Sequence, residues 1–177
     1  MQLTRVVLTG GPGAGKTSVL VRLQELGYAV VPDMARQFIA DRKSKGLSPR
    51  PPPVDFARAI LEEDMGRYDS VSDGIVFFDR GILDALAMLN ECGALCDKER
   101  EDILARYPYS SPVFVFPPWR EIYRTDTERD QNFKESVQVH SFIRDWYLKI
   151  GYDVSTVPIG AIHERCEYIL KTLGEYE

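Results

Sequence analysis

A three-layer α/β domain built on a five-stranded parallel sheet is the architecture this sequence predicts. Five short apolar runs, 3–9, 28–31, 75–78, 112–116 and 153–157, alternate with longer stretches whose apolar residues recur at helical spacing. The first run leads through glycines into a helix and then into the second run, a strand–loop–helix–strand unit of the kind that builds parallel sheets. No repeat and no long linker interrupts the alternation, so residues 1–177 read as one domain.

The first run, LTRVVLT, is rich in β-branched residues and reads as a buried strand. From Lys16, a helical face carries Val19, Leu20, Leu23 and Leu26, and Gly27 closes it. The second strand is Tyr28 to Val31. A helix from Ala35 to about Lys45 ends at Gly46 and the proline run around 49–53, which reads as a loop inside the domain. Periodicity resumes at Val54 and continues through Ala57, Leu61, Met65 and Tyr68. The third strand, Ile75 to Phe78, ends in Asp79, and short helices follow over 82–91 and 97–106. The fourth strand stops at Pro117 and Pro118. Val139, Phe142, Ile143, Trp146, Tyr147 and Ile150 then mark one face of an amphipathic helix. After the fifth strand, Ile162, Cys166, Ile169, Leu170 and Leu173 give a closing helix.

Composition narrows the function. Net charge is −5 and the pI about 5.2, so no nucleic-acid partner is expected. The basic residues gather around 42–50 and 120–129, which makes any anion site a local one. No apolar run approaches the roughly 18 residues of a membrane span, and the opening MQLTRVVLTG lacks the pattern of a secretory signal. A cytoplasmic location is the resulting expectation. Three cysteines are too few for a disulfide framework. Cys92 and Cys96 lie four apart, but His140 and His163 are distant, so buried or half-buried free thiols are expected in place of a zinc site.

The chemistry sits first in Gly10-Gly11-Pro12-Gly13-Ala14-Gly15-Lys16-Thr17, which matches G-x-x-x-x-G-K-[ST] in full. Glycines let the chain turn back so that successive N–H groups point at one anion. The helix beginning near Gly15 adds its positive end, Lys16 brings a point charge to the β- and γ-phosphates, and Thr17 offers a hydroxyl to Mg²⁺. Ser18 extends the same binding stretch. The motif lies between an apolar strand and an amphipathic helix, the context it requires. ATP, or GTP, with Mg²⁺ is the expected ligand.

Carboxylates at strand ends come next, because open parallel sheets bind ligands there. Asp79 has the form of a carboxylate ordering the shell of a phosphate-bound Mg²⁺, with a helix N-cap as its alternative. Arg80 either holds a phosphate or substrate anion or pairs with Asp84 or Asp33. Asp33, with Arg36 one turn on, either orients an acceptor hydroxyl or caps the next helix. Asp84 completes the acceptor-side set. Between the fourth strand and the long helix, about 117–134, Arg120, Arg124 and Arg129 suggest a lid, with Arg124 and Arg129 closing over the phosphates.

Together these segments, VVLTGGPGAGKTSVLVRL, VVPDMARQFI, IVFFDRGILD, YRTDTERDQNF and GYDVSTVPIGAIHERCEYIL, resemble the NadR-like AAA domain family of P-loop ATPases and kinases. The resemblance spans nearly the whole chain. It implies the P-loop NTPase fold in its kinase-like form, sheet order 2-3-1-4-5, an Asp-Arg pair after the third strand, and a lid. The family includes nicotinamide-riboside kinase domains and also members whose role is nucleotide binding. It commonly carries glutamate where this sequence has Asp33.

Two functions fit. One is a small-molecule kinase passing the γ-phosphoryl group of ATP to a hydroxyl of a nucleoside-like or other metabolite. The other is a nucleotide-dependent switch or slow NTPase acting on a protein or lipid partner through the 41–56 segment, with Lys43, Lys45 and Arg50. No N-K-x-D guanine-reading motif is present.

Overall fold

The computed structural model describes residues 3–123 and 132–175. Its elements run β1 (Thr4–Gly10), α1 (Lys16–Glu25), β2 (Ala29–Val31), α2 (Met34–Ser44), α3 (Pro53–Ser70), β3 (Ile75–Asp79), α4 (Ile82–Glu91), α5 (Asp97–Arg106), β4 (Val113–Phe116), α6 (Phe133–Lys149), β5 (Val154–Thr156) and α7 (Ile162–Thr172). All strand pairings are parallel, in the order β2-β3-β1-β4-β5 expected for the fold.

Alternation along the central strands builds the three layers. Val6 and Leu8 of β1, Phe77 of β3, and Phe114 and Phe116 of β4 pack on one side with α1 and α7. Val7, Val76, Phe78, Val113 and Val115 point the other way, onto α3, α4 and α6. Both faces are therefore apolar, as a parallel sheet covered on two sides requires.

Three local differences from the sequence reading stand out. The long helix α6 begins at Phe133, six residues before Val139, so the end of the predicted lid is already helical. Asn132 and Glu135 form a reciprocal capping box there: Asn132 Oδ1 accepts from the Glu135 N–H at 3.0 Å, and the Asn132 N–H donates back at 2.6 Å. Leu3, Tyr28, Pro112, Asp153 and Val157 fall just outside the strands assigned to them. Finally, Cys92 and Cys96 are exposed, and only Cys166 is buried. Cys96 lies at a helix start, where its sulfur accepts from the Glu99 N–H at 3.4 Å.

The sheet order decides where a ligand fits. The chain leaves β1 through α1 on one face, and leaves β3 through α4 on the other, although β1 and β3 are neighbours. Connections diverging from adjacent strands open a crevice beyond their carboxyl ends. Gly10 and Asp79 stand at those two ends.

Candidate active site

The loop after β1 is held by side chains from distant parts of the chain. Gly15 sits at φ 79°, and a Cβ there would stand 2.6 Å from Arg165 Nη1. Only glycine meets both demands. Arg165, on α7, is 2% exposed; Nη2 donates to the Ala14 carbonyl at 2.9 Å, and the guanidinium lies 4.6 Å over the Phe116 ring. Ser136 on α6 fixes the other side of the loop, its hydroxyl donating to the Pro12 carbonyl at 2.7 Å.

Lys16 is 8% exposed and donates to the carbonyls of Gly11 at 3.2 Å and Gly10 at 3.5 Å. Burial first, then the neighbouring Arg80 guanidinium, bring its ammonium down to about 8, against the pull of Asp79, Asp33 and Asp84. Asp79 is also 8% exposed, and its Oδ1 is buried without a hydrogen-bond partner among the described residues. Burial raises its carboxyl above the ordinary range, with Lys16 the strongest opposing influence. The N-cap alternative for Asp79 does not hold, because α4 is capped at Gly81 with no side-chain bond.

Arg80 is the one non-glycine among the described residues with positive φ, at 66°. That conformation costs roughly 1–3 kcal/mol and is characteristic of functional turns. Its Nη2 donates to the Gly10 carbonyl at 3.2 Å, and among the described residues no ion pair joins it to Asp84 or Asp33. The salt-bridge alternative is thereby set aside. Asp33 caps α2, its Oδ1 accepting from the Ala35 N–H at 2.9 Å. That satisfies one oxygen and leaves the other without a hydrogen bond among the described residues. Asp33 and Arg36 make no ion pair with each other.

Asp84 is differently placed. One oxygen accepts from the Thr9 hydroxyl at 2.5 Å and the other from the Tyr147 hydroxyl at 2.8 Å. Burial raises its carboxyl, while Arg80 and these two bonds oppose the rise. Its oxygens are thus engaged in tying β1, α4 and α6 together. Arg124 and Arg129 lie outside the described residues.

Two cavities meet at this loop. The first, about 430 Å³, is lined by Gly13 to Ser18 and by Trp119, Ile122, Ala161, Ile162 and Arg165. The second, about 410 Å³, runs beyond Asp33, Asp79 and Arg80 between α2, α3, α4 and α6. Lys16, Thr17 and Arg36 line both. The loop lysine therefore stands at the junction of two chambers, each of a size that holds a small molecule.

A family model described as an AAA domain matches residues 5–165. The chain belongs to that AAA domain family. Solved structures agree on the fold of this AAA domain chain. A deoxyadenosine kinase from M. mycoides, with dCMP and dCDP bound, superposes with TM-score 0.62 at 13% identity, covering 97% of this chain and 98% of that one. NadR in complex with NR gives 0.64 at 16% identity, covering 98% of this chain but 51% of NadR. A thymidylate kinase from Ehrlichia chaffeensis gives 0.64 at 13% identity, covering 98% and 100%. None of the curated proteins compared matches. No helix among the described residues is long and apolar enough to cross a membrane.

Sequence reasoning passed over Arg165, Ser136, Trp119 and Asp64. The last had a signal. Phe56, Ile60 and Asp64 stand at successive helical turns, so an acid continues an apolar row. Arg165 offered less, being one cation in an exposed-looking helix start. Its partner, the Ala14 carbonyl, is 151 positions away in the chain.

Proposed function

We propose that this AAA domain chain is a small-molecule kinase that transfers the γ-phosphoryl group of ATP to a hydroxyl of a nucleoside-like acceptor. One observation carries the reading: two separate chambers converge on Lys16 and Thr17, with the carboxylates Asp33 and Asp79 on the far side of the loop. A nucleotide switch needs one chamber. Transfer between two small molecules needs two that touch.

The nucleotide takes the first chamber. The loop amides and Lys16 grip its phosphates, and the base lies among Trp119, Ile122 and Ile162. The residues present suit Mg²⁺, since the Thr17 hydroxyl and the Asp79 Oδ1, which no described residue engages, supply the few oxygens this ion takes from protein. When bound, Mg²⁺ draws charge from the β- and γ-oxygens. The acceptor hydroxyl lies against the free oxygen of Asp33, which orients it and takes its proton as the O–P bond forms. Arg80, held close to Gly10, balances charge on the transferred group. Arg124 and Arg129, which lie outside the described residues, are assigned the same task.

The test is ADP release with Mg²⁺·ATP across a panel of hydroxyl-bearing metabolites. At least one acceptor should stimulate turnover and emerge phosphorylated, and Lys16→Ala should abolish the stimulation. Uniform, acceptor-independent hydrolysis would contradict the reading and favour a slow NTPase.

A further inference from the structure

Phosphoryl transfer leaves Asp64 without a task. It is 8% exposed, lines the second chamber in one row with Phe56 and Ile60, and makes no hydrogen bond or ion pair among the described residues. Buried carboxyls are ordinarily partnered, because desolvating one without a compensating bond is costly. No described residue supplies that partner. Asp33 at the head of α2, Glu63 beside it on α3 and Asp84 on α4 are like charges; Arg80 beyond β3 is the opposing one. The Tyr109 hydroxyl nearby faces the Ile82 N–H. From α6 the chamber receives only Val139, Phe142 and Ile143.

We propose, resting on the kinase reading, that Asp64 is the specificity-determining group of the acceptor chamber, pairing with the N–H edge of a flat heterocycle carried by the acceptor. The walls suit the ring faces: Phe56, Ile60, Phe142 and Ile143 are apolar, and about 410 Å³ accommodates a sugar with one heterocycle. Burial, reinforced by Asp84 and Asp33, raises the carboxyl to about 8. At neutral pH it then carries its proton and presents an O–H donor beside a C=O acceptor. That pair complements an amino group next to a ring nitrogen, or a ring N–H next to a carbonyl.

The test uses adenosine and inosine, which bear such edges, and purine riboside, which lacks the exocyclic group. Affinities are measured by calorimetry with Mg²⁺ and a non-hydrolysable ATP analogue. The wild type should bind adenosine or inosine at least about tenfold tighter than purine riboside, since a site built around a hydrogen bond rejects the ligand lacking it. Asp64→Asn, which keeps a donor beside an acceptor, should retain that preference to within about threefold. Asp64→Leu should erase it, leave affinity for the ATP analogue unchanged and raise the melting temperature. Asp64→Ala replaces it if the leucine variant does not fold, and must lose the preference too.

A wild type that binds the three alike, binds none of them, or keeps its preference as Asp64→Leu overturns the assignment. The underlying reading fails separately. Edge-dependent binding with no ADP release from ATP would remove the kinase activity and leave Asp64 in its role. ADP release stimulated equally by all three would do the reverse.

Discussion

The two chambers that meet at Lys16 are built in opposite ways. The proposed nucleotide side is built round one contiguous stretch, Gly13 to Ser18, in a loop whose shape is pinned by Arg165 and Ser136. The proposed acceptor side is assembled from side chains on α2, the 50–53 turn, α3, the end of β3, α4 and α6. A backbone site tolerates little change in residue type and announces itself as a motif. A side-chain site can be rewritten residue by residue without disturbing the sheet. Damage should therefore be severe and general on the first side, and selective on the second.

Lys16→Ala should have the largest effect, lowering turnover by at least about a hundredfold, because the transition-state charge loses its nearest cation. A related pH effect follows from the lysine itself. As pH rises through about 8, Lys16 gives up its proton, so ATP affinity should fall there; a flat profile from pH 7 to 9.5 would contradict this placement.

Next comes Arg165→Ala. It strips the buried Ala14 carbonyl of its donor and empties the space over Phe116, so stability should drop by about 1–3 kcal/mol, with weaker ATP binding alongside. Denaturant unfolding with and without nucleotide separates the two effects. If neither changes, the loop does not depend on α7.

Asp33→Asn should slow transfer about a hundredfold or less while sparing ATP affinity. Asparagine is as good an N-cap as aspartate, so α2 should remain intact by circular dichroism. Loss of the fold instead would reduce Asp33 to its capping role.

Sequence legibility follows the same division. The strand alternation and the glycine motif revealed the sheet, its layers and the loop after β1, because both leave periodic or contiguous traces. Asp33 and Asp79 were legible too, standing at the ends of apolar runs. The engagement of Asp84 by Thr9 and Tyr147 was not legible, because Tyr147 lies on a helix 63 positions further along the chain. The start of α6 was also written locally, in Asn132 and Glu135, but arginines nearby drew it into a lid. Asp64 was hidden because solvated acids on helices are common, and the packing of α3 against α2 and α4 is what buries this one.

The last effect concerns stability against pH. The folded state holds the Asp64 proton up to about 8, while the unfolded chain releases it near 3.8. Below 3.8 both states are protonated and stability is highest with respect to this group. It should then fall as pH rises towards 8, by up to about 1.4 kcal/mol per pH unit. Asp64→Leu should flatten that decline in thermal unfolding scans; an unchanged slope would mean Asp64 is not the group responsible.

The central claim is that one loop lysine serves two chambers, and a calorimetric titration of a non-hydrolysable Mg²⁺·ATP analogue tests it most directly. The wild type and Asp64→Leu should bind alike, and Lys16→Ala should bind at least about tenfold more weakly. No binding by the wild type, or equal weakening by both substitutions, would contradict the division into a nucleotide side and an acceptor side.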